Sequence, residues 1–548
     1  MVSNRRWLVF KQSRRANIMS HKQLLRGALL LTAAGIFGKI LSAGYRVPLQ
    51  NLTGDEGFYI YQQVYPFITI AWILSIYGYP AAISKLVIEQ EGGKRSTVTF
   101  YLPIFMFIFI LNGLFFSILY FGADQLAHWM GDRHLTGPIQ FTSVLFLLIS
   151  FTSFLRGSFQ STGDMRPTAI SQTVEQLFRV GFILWFTYVL LQQGKDLYEV
   201  GSAAAISSSI GALAAILTLI FSGIMLYRLK EMNVTTKMVA IKKVVKVLFE
   251  TSLVVGLNFM LLILLQIADV FTMIHGLQQN GLSLLEAKME KGVFDRGQPL
   301  VQLGVVFGSS LSLALVPAIS NSKVNEQNKL ETKAVKRALK LTAIFSAAAT
   351  VGLMVLMPSV NLLLYKTESG TLTLQVFSLM ILLVSLTLTL STFLQGLGFM
   401  KRQALLFGIA VLIKWLFNQL LIPSIGILGG ALASVFSVIF LVLAFGFLLK
   451  KYTRVCFGDI LPWKSLLLGL IIMAFIVFIS QQAYSYWLDI QERFDLMLAT
   501  IITCGLGALA FFGVLLVTNT FSRSELRQFP YGDRLVRMTV RRRKYWRK

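Results

Sequence analysis

Long apolar runs separated by short polar segments recur along the whole of this 548-residue chain. An apolar run of roughly 18 or more residues predicts a membrane-spanning helix, because about 20 residues are needed to cross about 30 Å of hydrocarbon. Fourteen such runs are present, from about Leu24 to about Phe521. With 55% hydrophobic and only 14% charged residues, the composition excludes a soluble protein. The predicted fold class is an all-α polytopic membrane protein.

The Lys and Arg residues indicate how the chain is oriented in the membrane. Cytoplasmic loops collect basic residues, whereas exported loops do not. If both termini are cytoplasmic, the cytoplasmic segments hold 40 of the 51 Lys and Arg residues and the exported loops hold 7. One missed span would destroy this alternation, so we expect fourteen transmembrane helices and two cytoplasmic termini. The net charge of +26 then reflects topology, and a nucleic-acid partner is not expected.

Two short motifs occur twice at almost the same spacing. Residues 80–84 recur as residues 317–320, and residues 160–166 recur in related form as residues 395–401. Both pairs fall at corresponding points in the order of the spans. Because internal duplication is common in transporters, we expect two six-helix bundles followed by two C-terminal helices.

The repeat predicts how the chain is divided. The main parts are an N-terminal six-helix bundle at residues 24–228 and a C-terminal six-helix bundle at residues 247–450. The other segments are a basic cytoplasmic tail at residues 1–23, a cytoplasmic linker at residues 229–246, two additional transmembrane helices at residues 451–521 and a basic cytoplasmic tail at residues 522–548.

Six charged side chains lie within the predicted spans. Each would cost about 2.5 to 3.5 kcal/mol against lipid, so these groups are expected to face the protein interior. They are Lys39, Arg46, Glu175, Arg179, Asp269 and Lys414. Four cations against two acids leave a surplus of positive charge. We therefore expect a water-filled cavity that binds an anion through Arg and Lys, which are suited to phosphate groups.

Five cations are candidate substrate-binding residues. Arg179 and Lys414 are equivalent positions of the repeat, each near the midplane where a cavity between two bundles would lie. Lys39 and Arg46 share one face of the first span, although Arg46 is close enough to the outer end to extend into the headgroup region. Arg296 precedes the eighth span, where helix N-terminal N–H groups would point at an anion. The alternative role of Arg296 is an ordinary ion pair with Asp295 in an exported loop.

The two acidic residues are expected to orient a cation or to couple transport to an ion. Glu175 lies four residues before Arg179, which predicts a salt bridge along one helix. For Asp269, a structural ion pair with a neighbouring residue and a cation-binding site are equally compatible with the sequence.

The sequence contains no motif typical of an enzyme or a cofactor site. Without a GxxxxGK[ST] phosphate loop the chain is not expected to hydrolyse ATP, and the HExxH and GxSxG motifs are absent as well. Cys456 and Cys504 lie far apart and the four His residues are scattered, so no metal site or thiol pair is expected. We expect a transporter that needs no cofactor.

Several stretches resemble a known family. They are Gly38 to Arg46, Gly54 to Gly57, Pro80 to Lys85, Gly157 to Arg179, Asp295 to Pro299 and Leu315 to Ser320. In these residues and in the order of its spans, the chain resembles the multidrug, oligosaccharidyl-lipid and polysaccharide (MOP) flippase superfamily. Within it, the chain is similar to the polysaccharide transporter group that includes SpoVB, YabM and MurJ.

The resemblance implies roles for three of the candidate cations. Lys39 and Arg46 correspond to a pair of first-span arginines in the group, and Arg296 corresponds to an arginine that opens the eighth span. A second-span arginine of the group has no counterpart here, where residues 73–76 read ILSI.

The resemblance also implies a function. The expected activity is flipping of an undecaprenyl-diphosphate-linked oligosaccharide or peptidoglycan precursor similar to lipid II, by alternating access, in the bacterial cell membrane. The expected partners are this polyprenyl-diphosphate-linked sugar and membrane lipid, and cell-wall synthesis enzymes are candidate protein partners.

The sequence leaves three alternative functions to consider. A cation-coupled multidrug exporter of the same superfamily fits poorly with a surplus of cavity cations. A membrane-embedded glycosyltransferase or ligase acting on the same lipid would need catalytic carboxylates on a sizeable exported loop, and the exported loops are short. The third alternative is a non-transporting subunit that binds cell-wall synthesis enzymes.

Overall fold

The computed structural model describes residues 27, 30–91, 98–227, 241–313, 328–453, 460–487, 493–527 and 532–533. Throughout these ranges the regular structure is helical, which confirms the predicted all-α class. The tail at residues 1–23, the motif at residues 317–320, most of the predicted linker, Cys456 and the last fifteen residues lie outside the described residues. By its internal contacts the chain divides into two compact units, Met1–Asp295 and Arg296–Lys548.

Unit 1 contains ten α-helices among its described residues, together with a π-helical turn at Leu74–Gly78 and a 3-10 turn at Arg133–Leu135. The α-helices are α1 (residues 30–44), α2 (Arg46–Ile73), α3 (Tyr79–Glu91), α4 (Val98–Phe121), α5 (Ala123–Trp129), α6 (Thr136–Ser161), α7 (Arg166–Gln192), α8 (Leu197–Tyr227), α9 (Ile241–Gln279) and α10 (Leu284–Asp295). Helix α8 packs against α6 and α7, and α2 packs against α8, α9 and α10. The seventh predicted span, carried by α9, therefore lies in unit 1.

The helical path from Leu30 to Val87 changes direction at a glycine. Gly54 has φ 68° and ψ −170°, a conformation that side chains other than glycine rarely adopt. Further along the same path, the π-helical turn inserts one extra residue before α3 begins at Tyr79. These two irregularities separate the straight parts of a stretch 58 residues long.

A buried ion network attaches α10 to the rest of unit 1. The Lys288 ammonium lies 3.2 Å from the Asp132 carboxylate and also donates to the Tyr198 hydroxyl. Tyr198 in turn donates to Asp132 over 2.6 Å, and Tyr59 donates to the same carboxylate over 3.3 Å. Because the charges are paired and hydrogen-bonded, they can remain buried at this position.

Unit 2 contains eight helices among its described residues. They are α11 (Gly297–Leu313), α12 (Asn328–Tyr365), α13 (Thr371–Gly396), α14 (Met400–Ile425), α15 (Ile427–Thr453), α16 (Trp463–Trp487), α17 (Arg493–Val517) and α18 (Arg523–Leu526). Helix α13 packs against α11, α12 and α15. The two predicted C-terminal helices, α16 and α17, pack against each other and against α12, where Ile344, Val477 and Phe511 belong to one apolar cluster.

Twelve helical segments among the described residues are long and apolar enough to cross a membrane. The first of them, Leu30–Val87, contains most of the first predicted span, at about residues 24–49, and all of the second, at about residues 58–79. The eighth predicted span begins with α11, whose 17 described residues end at Leu313. The rest of that span lies outside the described residues.

Candidate functional site

Arg179 lies in the interior of unit 1, on α7, with 3% of its surface exposed. One guanidinium nitrogen donates to the Ser42 hydroxyl over 3.0 Å and to the Gln176 side-chain oxygen over 2.7 Å. The guanidinium also lies 6.0 Å from the rings of Tyr45 and Trp72. Among the described residues, no carboxylate approaches it within salt-bridge distance, and its Nε has no hydrogen-bond partner. Neutral groups therefore hold this buried cation.

Arg46 is fully buried at the start of α2, and its guanidinium lies 3.9 Å from the centre of the Tyr65 ring. The ring of Tyr61 lies between those of Tyr45 and Tyr65, at centroid distances of 6.1 and 5.9 Å, and the Tyr45 and Tyr61 hydroxyls are 2.5 Å apart. The expected cations Arg46 and Arg179 thus meet around three tyrosines. We call this set the tyrosine–arginine cluster; its members are Ser42, Tyr45, Arg46, Tyr61, Tyr65, Gln176 and Arg179.

Lys39 lies on α1, half-buried, with its ammonium 5.9 Å from the centre of the Phe259 ring on α9. Small residues bring α1 close to its neighbours. A Cβ atom at Gly38 would lie 3.4 Å from the Gln176 side chain, and one at Gly35 would lie 3.1 Å from the Tyr77 hydroxyl. Lys39 precedes Ser42 by three residues on α1, so it lies on the side of this helix that bears the tyrosine–arginine cluster.

Glu175 pairs with an arginine that the sequence analysis did not select. The Glu175 carboxylate lies 2.6 Å from the guanidinium of Arg156, which is fully buried on α6. Arg156 also donates to Ser75 over 2.9 Å and to Ser171 over 3.1 Å. The expected salt bridge from Glu175 to Arg179 is wrong, because the carboxylate is directed toward α6.

The position of Arg156 explains why it was missed. The apolar run in the sequence predicts a fourth span over about residues 137–155, which leaves Arg156 in the cytoplasmic loop. In the structure, α6 continues to Ser161, more than a turn further. The signal in the sequence was a basic residue directly after the predicted end of a span, where a helix that continues would bury it.

Asp269 is buried on α9, with 2% of its surface exposed. Its charge acts on Asp295, which forms a 2.7 Å ion pair with Lys291 at the end of α10. Burial raises the pKa of Asp295, the Lys291 and Arg46 charges oppose that rise, and the Asp269 charge adds to it. Asp269 thus belongs to a buried charged region of unit 1.

The other two candidate cations belong to unit 2 and are buried there. Lys414, on α14, donates to the Ser434 hydroxyl and to the Gly430 carbonyl oxygen on α15. Arg296 directly precedes α11, and its guanidinium lies 5.3 Å from the Tyr365 ring. The Tyr365 hydroxyl donates to the Arg296 carbonyl oxygen over 3.1 Å.

The tyrosine–arginine cluster contains the kinds of donor that bind anions. It offers guanidinium and hydroxyl donors in a buried setting, where charge-assisted hydrogen bonds are strong. Aromatic rings around the guanidinium groups stabilise them without neutralising them, as a carboxylate would. Among the residues that the structure describes, no group of three or more His, Cys, Asp or Glu side chains is arranged to hold a metal ion.

Comparison with known proteins gives related sequences over nearly the whole chain. Residues 24–323 match the family of polysaccharide biosynthesis proteins. The membrane protein YabM of Bacillus subtilis (strain 168) is 35% identical over 526 residues, covering 94% of this chain and 97% of YabM. The lipid II flippase MurJ of the same organism is 26% identical, covering 89% of this chain and 94% of MurJ.

Solved structures share the fold at low sequence identity. The inward closed conformation of the lipid II flippase MurJ superposes with a TM-score of 0.64 at 16% identity, covering 89% of this chain and all of that one. An inward-facing multidrug resistance MATE family transporter of the MOP superfamily gives a TM-score of 0.60 at 15% identity, covering 76% of this chain and 94% of that one. The chain therefore has the all-helical fold of these transporters, as expected from the resemblance.

The spans and the relatives agree on where the protein resides. Multiple apolar helices and membrane-protein relatives in Bacillus subtilis make it a multi-pass bacterial membrane protein. The match over more than half of its length, together with the identity to YabM, shows that the chain belongs to the polysaccharide biosynthesis protein family.

Proposed function

We propose that this protein is a flippase that moves an anionic undecaprenyl-diphosphate-linked oligosaccharide or lipid II-like cell-wall precursor across the cytoplasmic membrane by alternating access. The observation that carries the proposal is Arg179, a buried cation held by neutral hydrogen-bond acceptors. A permanent carboxylate partner would neutralise its charge, whereas Ser42 and Gln176 leave it available to an incoming phosphate. Relatives named for polysaccharide biosynthesis and for lipid II flipping support the substrate class.

Each candidate residue has a role in this proposal. In unit 1, Arg46 and Arg179 bind the diphosphate, and Lys39 contacts the adjoining part of the headgroup. In unit 2, Arg296 and Lys414 are further candidate substrate-binding cations. Glu175 is a positioning residue, because it fixes Arg156 and with it the contact between α6 and α7. Asp269 is the candidate for ion coupling, since it is a buried acid on α9.

We also propose fourteen spans with both termini in the cytoplasm. At 1.5 Å per residue, the stretch Leu30–Val87 is about 87 Å long, sufficient for two crossings of about 30 Å, and the turn at Gly54 lies between them. Helix α11 supplies the first part of the eighth span. The proposal includes two six-helix bundles, at residues 24–228 and 247–450. Cell-wall synthesis enzymes are the proposed protein partners.

A transport assay tests the function. The purified protein is reconstituted in liposomes with fluorescent undecaprenyl-diphosphate-linked N-acetylglucosamine, and its transfer between leaflets is followed by a membrane-impermeant quencher. We expect transfer by the wild type and a loss of about tenfold or more for Arg179→Gln and for Lys414→Gln, since each removes a charge-assisted contact. Arg133→Gln, at an exposed position, is the control.

Two results would oppose the proposal. Full activity of both Arg179→Gln and Lys414→Gln would remove the role of the buried cations. Transport of a cationic dye such as ethidium, without transfer of the lipid, would instead favour the multidrug exporter.

A further inference from the structure

Three aromatic side chains adjoin the tyrosine–arginine cluster in unit 1. The rings of Tyr77 and Phe259 are stacked, with centroids 4.0 Å apart and planes 7° from parallel. Trp72 meets Tyr77 edge to face at 6.4 Å. Trp72 also lies 6.0 Å from the Arg179 guanidinium, so the three rings extend from the cluster toward α9. We call Trp72, Tyr77 and Phe259 the aromatic platform.

One part of the aromatic platform is open. Phe259 has 37% of its surface exposed, and Tyr77 is half-buried. The Lys39 ammonium lies 5.9 Å from the Phe259 ring centre. A lysine charge facing lipid would cost about 2.5 to 3.5 kcal/mol, so we expect the surface that Lys39 shares with Phe259 to face a polar space.

Two polar groups beside the platform lack partners. The Trp72 indole Nε1–H has no hydrogen-bond acceptor, and only 8% of the residue's surface is exposed to solvent that could replace one. The Gln176 side-chain nitrogen is also without a partner. A buried donor without an acceptor costs free energy, and such groups are found where a ligand completes the hydrogen bonds.

The backbone that carries Tyr77 is irregular. Tyr77 belongs to the π-helical turn at Leu74–Gly78, and π-helical turns occur frequently at functional sites. Ser75 in the same turn accepts a hydrogen bond from Arg156 over 2.9 Å and lies 2.7 Å from the Thr152 hydroxyl. The turn is therefore held by the buried Arg156 network.

We propose that the aromatic platform, with Lys39 and the Trp72 indole N–H, is a binding subsite for a pyranose ring of the transported lipid. The inference rests on the proposed function and adds to it the residues that recognise the sugar. The C–H bonds on one face of a pyranose carry partial positive charge and pack on the negative face of an aromatic ring. Its hydroxyls accept from Trp72 and Lys39, while Arg179 holds the adjoining diphosphate.

Binding measurements with two lipids test the subsite. The full-length protein in nanodiscs is titrated with undecaprenyl diphosphate and with undecaprenyl-diphosphate-linked N-acetylglucosamine. The wild type is expected to bind the sugar-bearing lipid more tightly. Phe259→Leu should weaken binding of that lipid by about tenfold, because the stacking surface is lost, and leave binding of undecaprenyl diphosphate unchanged.

Two further variants provide the controls. Phe221→Leu, on α8 with 71% of its surface exposed, makes the same substitution away from the platform and should change neither affinity. Arg179→Gln should weaken both lipids alike, since both carry the diphosphate. If Phe259→Leu binds undecaprenyl diphosphate as tightly as the wild type does, this variant is folded.

Each contrary result has a distinct meaning. If the wild type binds the two lipids equally well, or Phe259→Leu weakens both lipids or neither, the sugar subsite is wrong and the proposed function stands. If the wild type binds neither lipid, the proposed function is wrong and the subsite is wrong with it.

Discussion

Two arginines of unit 1 are almost equally buried but have opposite kinds of partner. Arg156 is paired with the Glu175 carboxylate, and Arg179 is held by Ser42, Gln176 and aromatic rings. The first arrangement neutralises the charge and stabilises the contact between helices. The second preserves positive charge in the interior. Glu175 and Arg179, four residues apart on α7, thus differ: the first is paired with a buried charge, and the second is next to a charge-neutral set of partners.

Breaking the structural pair should destabilise the protein. Because Arg156 and Glu175 are 0% and 3% exposed, Glu175→Gln leaves an uncompensated buried charge and should cost about 3 to 5 kcal/mol of unfolding free energy. The double variant Arg156→Gln/Glu175→Gln should lose less than the sum of the two single losses. Unfolding of the purified protein in detergent, followed by circular dichroism, measures each change.

An exposed ion pair is the matched control for this cycle. Lys195 and Glu199 lie 3.1 Å apart with about half of each side chain exposed, so Glu199→Gln should cost less than about 1 kcal/mol. Additive losses in the Arg156 and Glu175 cycle would mean that the two residues do not act as a pair.

The burial of the charged residues could be predicted from the sequence, but the residues with which they pair could not. Arg179 and Lys414 were expected in the interior because lipid excludes charge, and both are buried. Glu175 was assigned the wrong partner because sequence spacing reports neighbours on one helix and says nothing of α6. Tyr45 and Tyr61 were missed because an aromatic residue in an apolar span looks the same whether it faces lipid or a cation.

At the scale of the element, Gly54 changes the direction of a long helical path. Its φ of 68° is strained for any residue with a side chain, and no atom lies within 4 Å of a Cβ atom placed there. A substitution at this position therefore tests the backbone alone.

We expect Gly54→Ala to lower the unfolding free energy by about 1 to 2 kcal/mol, because alanine is strained at positive φ. Gly181→Ala on α7 is the control, since its surroundings are equally open and its backbone is helical. The control should be neutral or stabilising by up to about 1 kcal/mol. Thermal unfolding of the two variants side by side measures the difference, and equal destabilisation by both would contradict the role of the Gly54 backbone.

A carboxylate on helix α18 forms an ion pair with α12. Glu525 lies 3.0 Å from the Lys340 ammonium and accepts from the Ser522 backbone N–H over 2.7 Å. Burial acts to raise the pKa of Glu525, but the hydrogen bonds from Ser522 and Lys340 outweigh it, so the pKa lies below its ordinary value. The ionised form is therefore the one that fastens α18.

The attachment should weaken in acid. Since the folded-state pKa of Glu525 is lowered, its contribution to stability is present above about pH 4.5 and is lost as the pH falls through the folded-state pKa. Hydrogen-exchange protection factors for the α18 amides should fall over that range. In Glu525→Gln they should already be low at neutral pH and should respond little to acid; unchanged protection in this variant would mean that Glu525 does not fasten the helix.

At the scale of the whole molecule, the proposed activity is secondary transport of a charged headgroup without a nucleotide. Outward movement of two negative charges through an inside-negative potential of about 100 mV releases about 4 to 5 kcal/mol. The membrane potential can therefore drive export. The proposed substrate requires an interior that accepts a diphosphate, which is the role we propose for the tyrosine–arginine cluster.

The central claim is that the buried cations recognise the negative charge of the lipid. Its most direct test is the ratio of flipping rates, in the same liposomes, for undecaprenyl-diphosphate-linked N-acetylglucosamine and for an uncharged polyprenyl ether of the same sugar. We predict that the wild type flips the diphosphate lipid at least about tenfold faster, and that Arg179→Gln brings the ratio close to one. Equal rates for the two lipids in the wild type would contradict the account.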